Sequence, residues 1–152
     1  MRIVMVELLN WASYRGEHVF NFYSKSGKNG YSIFGENSRG KTSFTDAIQW
    51  AMYGEAWTKA IINSKNIEIK KKRPLISSDE TMNPLLNTYA FQEGEFDLRV
   101  RITFDHEGAR WTLTRVACEE KNNPRTDKDM RTYLTLYNKE KDEVLDKNLA
   151  QD

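Results

Sequence analysis

The sequence predicts an α/β fold: a mixed sheet with one prominent helix and an antiparallel β-meander packed beside it. Three observations predict it. Gly35-Glu36-Asn37-Ser38-Arg39-Gly40-Lys41-Thr42 fits G-x-x-x-x-G-K-[ST], a pattern that sits between a strand and a helix. Phe44, Ala47, Ile48, Ala51 and Met52 then recur at i, i+3, i+4, i+7 and i+8, one apolar helical stripe. Further on, Phe96, Leu98, Val100, Ile102 and Phe104 alternate with Asp97, Arg99, Arg101 and Thr103, the period of a strand with one buried face.

The elements follow in order. Residues 1–9 are apolar enough for a first strand, and a turn is expected around 13–17. A second strand is expected over 18–23, with Val19 and Phe20 available for burial. Residues 24–30 are polar and glycine-containing, a turn. Gly30-Tyr31-Ser32-Ile33-Phe34 reads as a short buried strand, and residues 41–53 as the helix, stopped by Gly54 at the C′ position. Residues 55–87 are polar, weakly periodic and interrupted by Pro74 and Pro84, which suggests an extended arm with short helical turns. After the strand that begins at Phe96, residues 105–108 turn and 110–116 return with Trp111 and Leu113 inward. Residues 118–129 form a charged loop, and Leu134 and Leu136 mark another strand. This divides a single domain into strands, loop and helix (1–54), an arm (55–95) and the meander (96–152).

The loop pattern dictates a chemistry. Backbone N–H groups at a helix start are unpaired donors at the positive end of the macrodipole, and they suit a phosphate. The expected binding residues are Gly35, Asn37, Ser38, Arg39, Gly40, Lys41, Thr42 and Ser43. Gly35 and Gly40 permit close backbone approach, and Lys41 reaches the β/γ oxygens of a nucleotide. Thr42 offers the hard oxygen that Mg²⁺ prefers.

With 152 residues the chain suits one domain and can bury a core. Lys plus Arg number 23 against 22 Asp plus Glu, a net charge of +1, so any nucleic-acid contact must come from a local patch. The single cysteine, Cys118, excludes a disulfide framework and a zinc spacing, and points to a reducing compartment. The N-terminal apolar stretch is broken by Arg2 and Glu7, unlike a signal peptide, and no stretch is long enough to span a bilayer. A cytoplasmic protein with no membrane partner is expected.

The run from Ile33 through the loop to Ser43, continuing through Asp46-Ala47-Ile48 to Met52-Tyr53-Gly54, resembles the start of SMC-type ATPases, closest to the SbcC and DndD branch. The Asn10-Trp11 pair, the Tyr14-Arg15-Gly16 turn, Leu85-Leu86-Asn87 and Leu113-Thr114-Arg115 are similar to that branch as well. Three positions depart from the family pattern. Ser38 stands where glycine is usual, Arg39 where a small residue is usual, and Ala12 where a basic residue is common, with Arg15 nearby as a substitute.

The resemblance implies the N-terminal lobe of an ABC/SMC-type P-loop ATPase head. ATP and Mg²⁺ would bind at the loop, and the Walker-B carboxylates and signature motif would lie in a C-terminal ATPase lobe beyond a coiled coil. It further implies head dimerisation as a homodimer, action on DNA in repair, restriction or phage defence, and a possible nuclease subunit. No catalytic residue is expected within the chain. Asp105, in Thr103-Phe104-Asp105-His106-Glu107, lies on an alternating strand and not on the apolar strand a Walker-B aspartate would end.

Lys70, Lys71, Lys72 and Arg73, with Lys65, make the one dense basic segment and the candidate DNA contact, although short charge runs are often only solvated loops. Arg99 and Arg101 share an outer strand face, Trp11, Trp50, Trp57 and Trp111 suit a partly buried core, and His18 and His106 lack metal or triad spacing. Two other readings remain open: a self-contained P-loop kinase or NTPase, and a non-catalytic interaction module that keeps nucleotide to stabilise its fold.

Overall fold

Alternating apolar residues make β1 (Arg2–Trp11) a strand that buries Val4, Val6 and Leu8 on one face. In the computed structural model, which describes residues 1–23, 30–36, 40–62, 67–76 and 83–147 (58–62, 67–69 and 145–147 by backbone only), β1 lies inside a six-stranded sheet. Its neighbours are β2 (Tyr14–Asn21) and β5 (Leu98–His106). Beyond β5 come β6 (Ala109–Glu119), β7 (Met130–Asn138) and β8 (Glu143–Lys147), giving the order β2-β1-β5-β6-β7-β8. A separate hairpin pairs β3 (Trp57–Ile62) with β4 (Ile67–Lys72).

The helix α1 (Lys41–Tyr53) lies on the sheet face formed by β1, β5 and β6. Phe44, Ala47, Trp50 and Ala51 are its buried residues, and they join Val6, Leu8, Val100 and Ile102 in one core cluster. The rings of Trp11 and Trp50 meet with centroids 5.2 Å apart. Burying one such side chain contributes about 1.5–3 kcal/mol, so this face carries much of what fixes the helix. Ile48 and Met52, expected on the stripe, sit half-buried at its margin, and Trp50 takes the central place because its ring is long enough to reach the sheet.

The far end of α1 is closed from two sides. Gly54 adopts φ 80, and its N–H donates to the Trp50 carbonyl at 2.8 Å. Arg115, buried on β6, donates from Nε to the Ala51 carbonyl at 3.1 Å and stands 5.8 Å from the Trp50 ring centroid. Burial pushes its pKa below the ordinary guanidinium value, and the negative end of the helix dipole is its compensation. A Cβ on Gly54 would lie 3.3 Å from an Arg115 guanidinium nitrogen, on a backbone that side chains resist. Gly54→Ala should therefore lower stability by about 1–2 kcal/mol, seen as a lower midpoint in thermal unfolding. An unchanged midpoint would contradict this account of the helix end.

Several expectations are corrected. The sheet is not mixed: among the described residues every strand pairing is antiparallel. Residues 30–34 do not form a buried strand. Among the described residues no strand pairs with this apolar run, and Phe34 is 90 % exposed. The turn before β2 occupies only Ala12 and Ser13, with Trp11 opposite Tyr14, because Asn10 (φ 49) and Ala12 (φ 47) both take left-handed backbone. The expected turn over 24–30 falls almost wholly on residues 24–29, outside the described residues.

Within the arm, the isoleucines at 61, 62, 67 and 69 favour extended backbone, and β3 and β4 form there in place of helical turns. A short helix, α2 (Thr88–Gln92), capped by the Asn87 side chain, follows. Cys118 belongs to β6 and not to the charged loop, and β8 was not anticipated. Among the described residues no helix is long and apolar enough to cross a membrane.

Candidate phosphate-binding site

The start of α1 has the features an anion needs. Gly40 is the N-cap with φ 89, no side chain caps the helix, and the first turn holds no acidic residue. Thirteen residues of helix stand behind it, so the dipole is fully developed. Phe44 N–H closes the first helical bond on the Gly40 carbonyl at 2.9 Å, which leaves the preceding amides at the mouth of the loop. Gly40 cannot be exchanged cheaply: a Cβ there would lie 2.9 Å from the Tyr14 hydroxyl and 3.0 Å from Ser13 Oγ.

Lys41, the next residue, donates from Nζ to the carbonyls of Gly35 and, at 2.7 Å, Glu36. The ammonium is thereby held across the loop. Thr42 is exposed and Ser43 half-buried on the first turn, and Gly35 is exposed. Asn37, Ser38 and Arg39 lie outside the described residues. Of the expected set, then, the structure brings Gly35, Gly40, Lys41, Thr42 and Ser43 to one place.

Two side chains to which sequence reasoning gave no role at the loop grip this turn. The Tyr14 hydroxyl donates to the Gly40 carbonyl at 3.0 Å, and Trp11 Nε1 donates to the Ser43 carbonyl at 2.7 Å. Desolvation raises the Tyr14 pKa, which keeps the phenol protonated. Arg15, the candidate substitute for a basic nucleotide contact, is instead paired with Glu93 at the protein surface.

Next to the loop, residues 30–36 run along the surface. Tyr31 and Ile33 are half-exposed and face an open groove of about 580 Å³ that Ile3, Phe22, Phe44 and Ile48 also line. The groove is mostly apolar, with Met1 and Arg2 completing its lining, and it meets α1 at Phe44 and Ile48.

The basic segment divides. Lys70, Lys71 and Lys72 are exposed on β4, with Lys72 paired to Glu55 at 3.0 Å. Arg73 is not part of any DNA-reading surface: it is 3 % exposed and bonded to Asp46 of α1 at 2.7 Å. Its remaining nitrogens donate to the Asn83 carbonyl and side chain and to the Pro84 carbonyl. Burial lowers its pKa and Asp46 opposes that shift. A single-sequence reading sees only four cations in a row. It has no signal that the last one turns inward to a carboxylate on another element.

Asp105 lies near the end of the β5–β6 hairpin in a two-point pair with Arg110, at 2.8 and 3.1 Å, which holds its carboxyl below the usual range. That is a structural ion pair distant in character from a metal carboxylate. Among the described residues no group of three His, Cys, Asp or Glu could hold a metal ion.

A family model described as an AAA domain matches residues 6–152. No match is found among curated proteins.

Proposed function

Since the chain belongs to the AAA-domain family of nucleotide-binding ATPases, we propose that it is the ATP·Mg²⁺-binding lobe of an SMC-like ATPase head, of the SbcC/DndD kind, that acts on DNA. The observation that carries this reading is the uncapped, glycine-led start of α1 with Lys41 beside it. The loop residues Gly35, Gly40, Lys41, Thr42 and Ser43, with Asn37, Ser38 and Arg39, fit a triphosphate by their donor chemistry. Amides at the helix start would hold the β-phosphate, Lys41 would balance the β/γ charge, and the Thr42 hydroxyl would be a Mg²⁺ ligand. Bound Mg²⁺ supplies charge neutralisation of the phosphates.

Hydrolysis needs more than this lobe provides. Asp105 is paired with Arg110, which supports the reading that the Walker-B carboxylates and the water-positioning group would come from a C-terminal lobe with its coiled coil. The exposed Ile33 and Phe34 and the apolar groove beside them support a missing neighbour at this edge. A second head in a homodimer would complete the site, and DNA would be met by Lys70, Lys71 and Lys72 through phosphate contacts. A nuclease subunit would be driven by the closing heads.

The chain alone is expected to bind ATP with little turnover, and turnover should rise when the C-terminal lobe is added. A phosphate-release assay on both samples tests this. Efficient hydrolysis by the chain alone would favour a self-contained NTPase.

A further inference from the structure

The turn that presents Trp11 and Tyr14 is held in an unfavourable backbone. Asn10 and Ala12, neither of them glycine, have φ values of 49 and 47, a conformation that Asn tolerates and that costs Ala about 1 kcal/mol or more. It persists because residues 85–87 clamp it. Ala12 N–H donates to the Leu85 carbonyl at 2.6 Å, and Asn87 N–H to the Asn10 carbonyl at 2.8 Å. The Asn87 side chain donates to the Ala12 carbonyl at 2.7 Å. Asn10 in turn accepts from Gly16 N–H at 2.8 Å and donates to the Asp97 carbonyl at 3.1 Å. Strain fixed from so many sides marks a turn whose shape serves something it touches, and what it touches is the first turn of α1.

Both contacts fall on carbonyls. Tyr14 donates to the carbonyl of Gly40, and Trp11 to that of Ser43. A brace that used the amides of this turn would compete with a phosphate. This one leaves them alone. The Gly40 carbonyl shares its peptide plane with the Lys41 N–H, so a donor on the oxygen draws electron density from the nitrogen side. That amide becomes a stronger donor and is fixed in direction.

We propose that Tyr14 is a positioning residue of the phosphate site, its hydroxyl aiming and strengthening the Lys41 amide through the Gly40 carbonyl, with Trp11 holding the same turn in register. The inference rests on the nucleotide reading of the loop. Tyr14→Phe keeps the ring that packs edge-on against Phe20 and His18, with centroids 5.7 and 5.3 Å away, and removes only the donor.

The test is calorimetric titration of wild type, Tyr14→Phe and Gly54→Ala with ATP·Mg²⁺ and with Mg²⁺-free ADP, beside thermal melts. Tyr14→Phe is expected to bind both nucleotides about three- to tenfold more weakly, by the same factor, because the hydroxyl acts on an amide and not on the metal. Gly54→Ala, destabilised at the opposite end of α1, is expected to keep wild-type affinity. Wild-type affinity in Tyr14→Phe, a loss confined to ATP·Mg²⁺, or an equal loss in Gly54→Ala would each overturn the inference while the nucleotide reading stands. No binding by the wild-type chain would overturn both.

Discussion

Lys41→Ala is expected to weaken ATP binding about 100-fold, the loss of a charge-assisted contact to phosphate oxygens. Among the described residues the side chain donates to the Gly35 and Glu36 carbonyls, both on the exposed loop, and Lys41 is no member of the core cluster. Its melting temperature should therefore stay close to that of the wild type while affinity collapses. Calorimetry and a thermal melt on the same sample separate the two effects. Undiminished affinity would mean that the loop does not hold the nucleotide.

The largest expected effect on stability lies at Arg73. Truncating one partner of a buried pair strands the other charge, at a typical cost of about 3–5 kcal/mol. Asp46 would lose its guanidinium partner, and the Asn83 and Pro84 carbonyls would lose their donors. Arg73→Ala should accordingly shift the urea midpoint far downward. Replacing both residues together, Asp46→Leu with Arg73→Leu, should recover part of the loss because no buried charge remains unpaired. A single variant as stable as wild type would show that the pair contributes nothing. The consequence reaches the site, since Asp46 stands one turn from Thr42 on α1. Arg73 follows directly after β4, and its N–H donates to the Ala56 carbonyl at 2.8 Å. The base of the lysine-bearing hairpin is thus fastened to the nucleotide helix.

What was legible in the sequence was local. The bounds of α1 follow from the spacing of Phe44, Ala47 and Ala51 and from Gly54, all within a few residues of one another. The inward face of β5, Leu98, Val100 and Ile102, follows from strict alternation. Residues 30–34 failed for the complementary reason. Ile33 and Phe34 are apolar enough for a strand, but a strand exists only when another backbone pairs with it, and composition does not reveal the partner. The β3–β4 hairpin was hidden by lysines at 59, 70, 71 and 72, which mask the β-branched positions between them.

At the site, the pattern from Gly35 to Thr42 was visible outright, whereas its support was not. Trp11 reaches Ser43 across 32 positions, Tyr14 reaches Gly40 across 26, and Asn87 reaches Ala12 across 75. Such bonds depend on how β1 and the segment before α2 fold against the helix. Each of these residue types is ordinary in a core or a turn, so nothing in the order of residues singles them out.

Calorimetric titration of the 152-residue chain with ATP in the presence of Mg²⁺ tests the central claim most directly. One saturable site per chain, weakened about 100-fold in Lys41→Ala, is the predicted result. Absence of saturable binding by the wild-type chain, with its fold intact by circular dichroism, would contradict it.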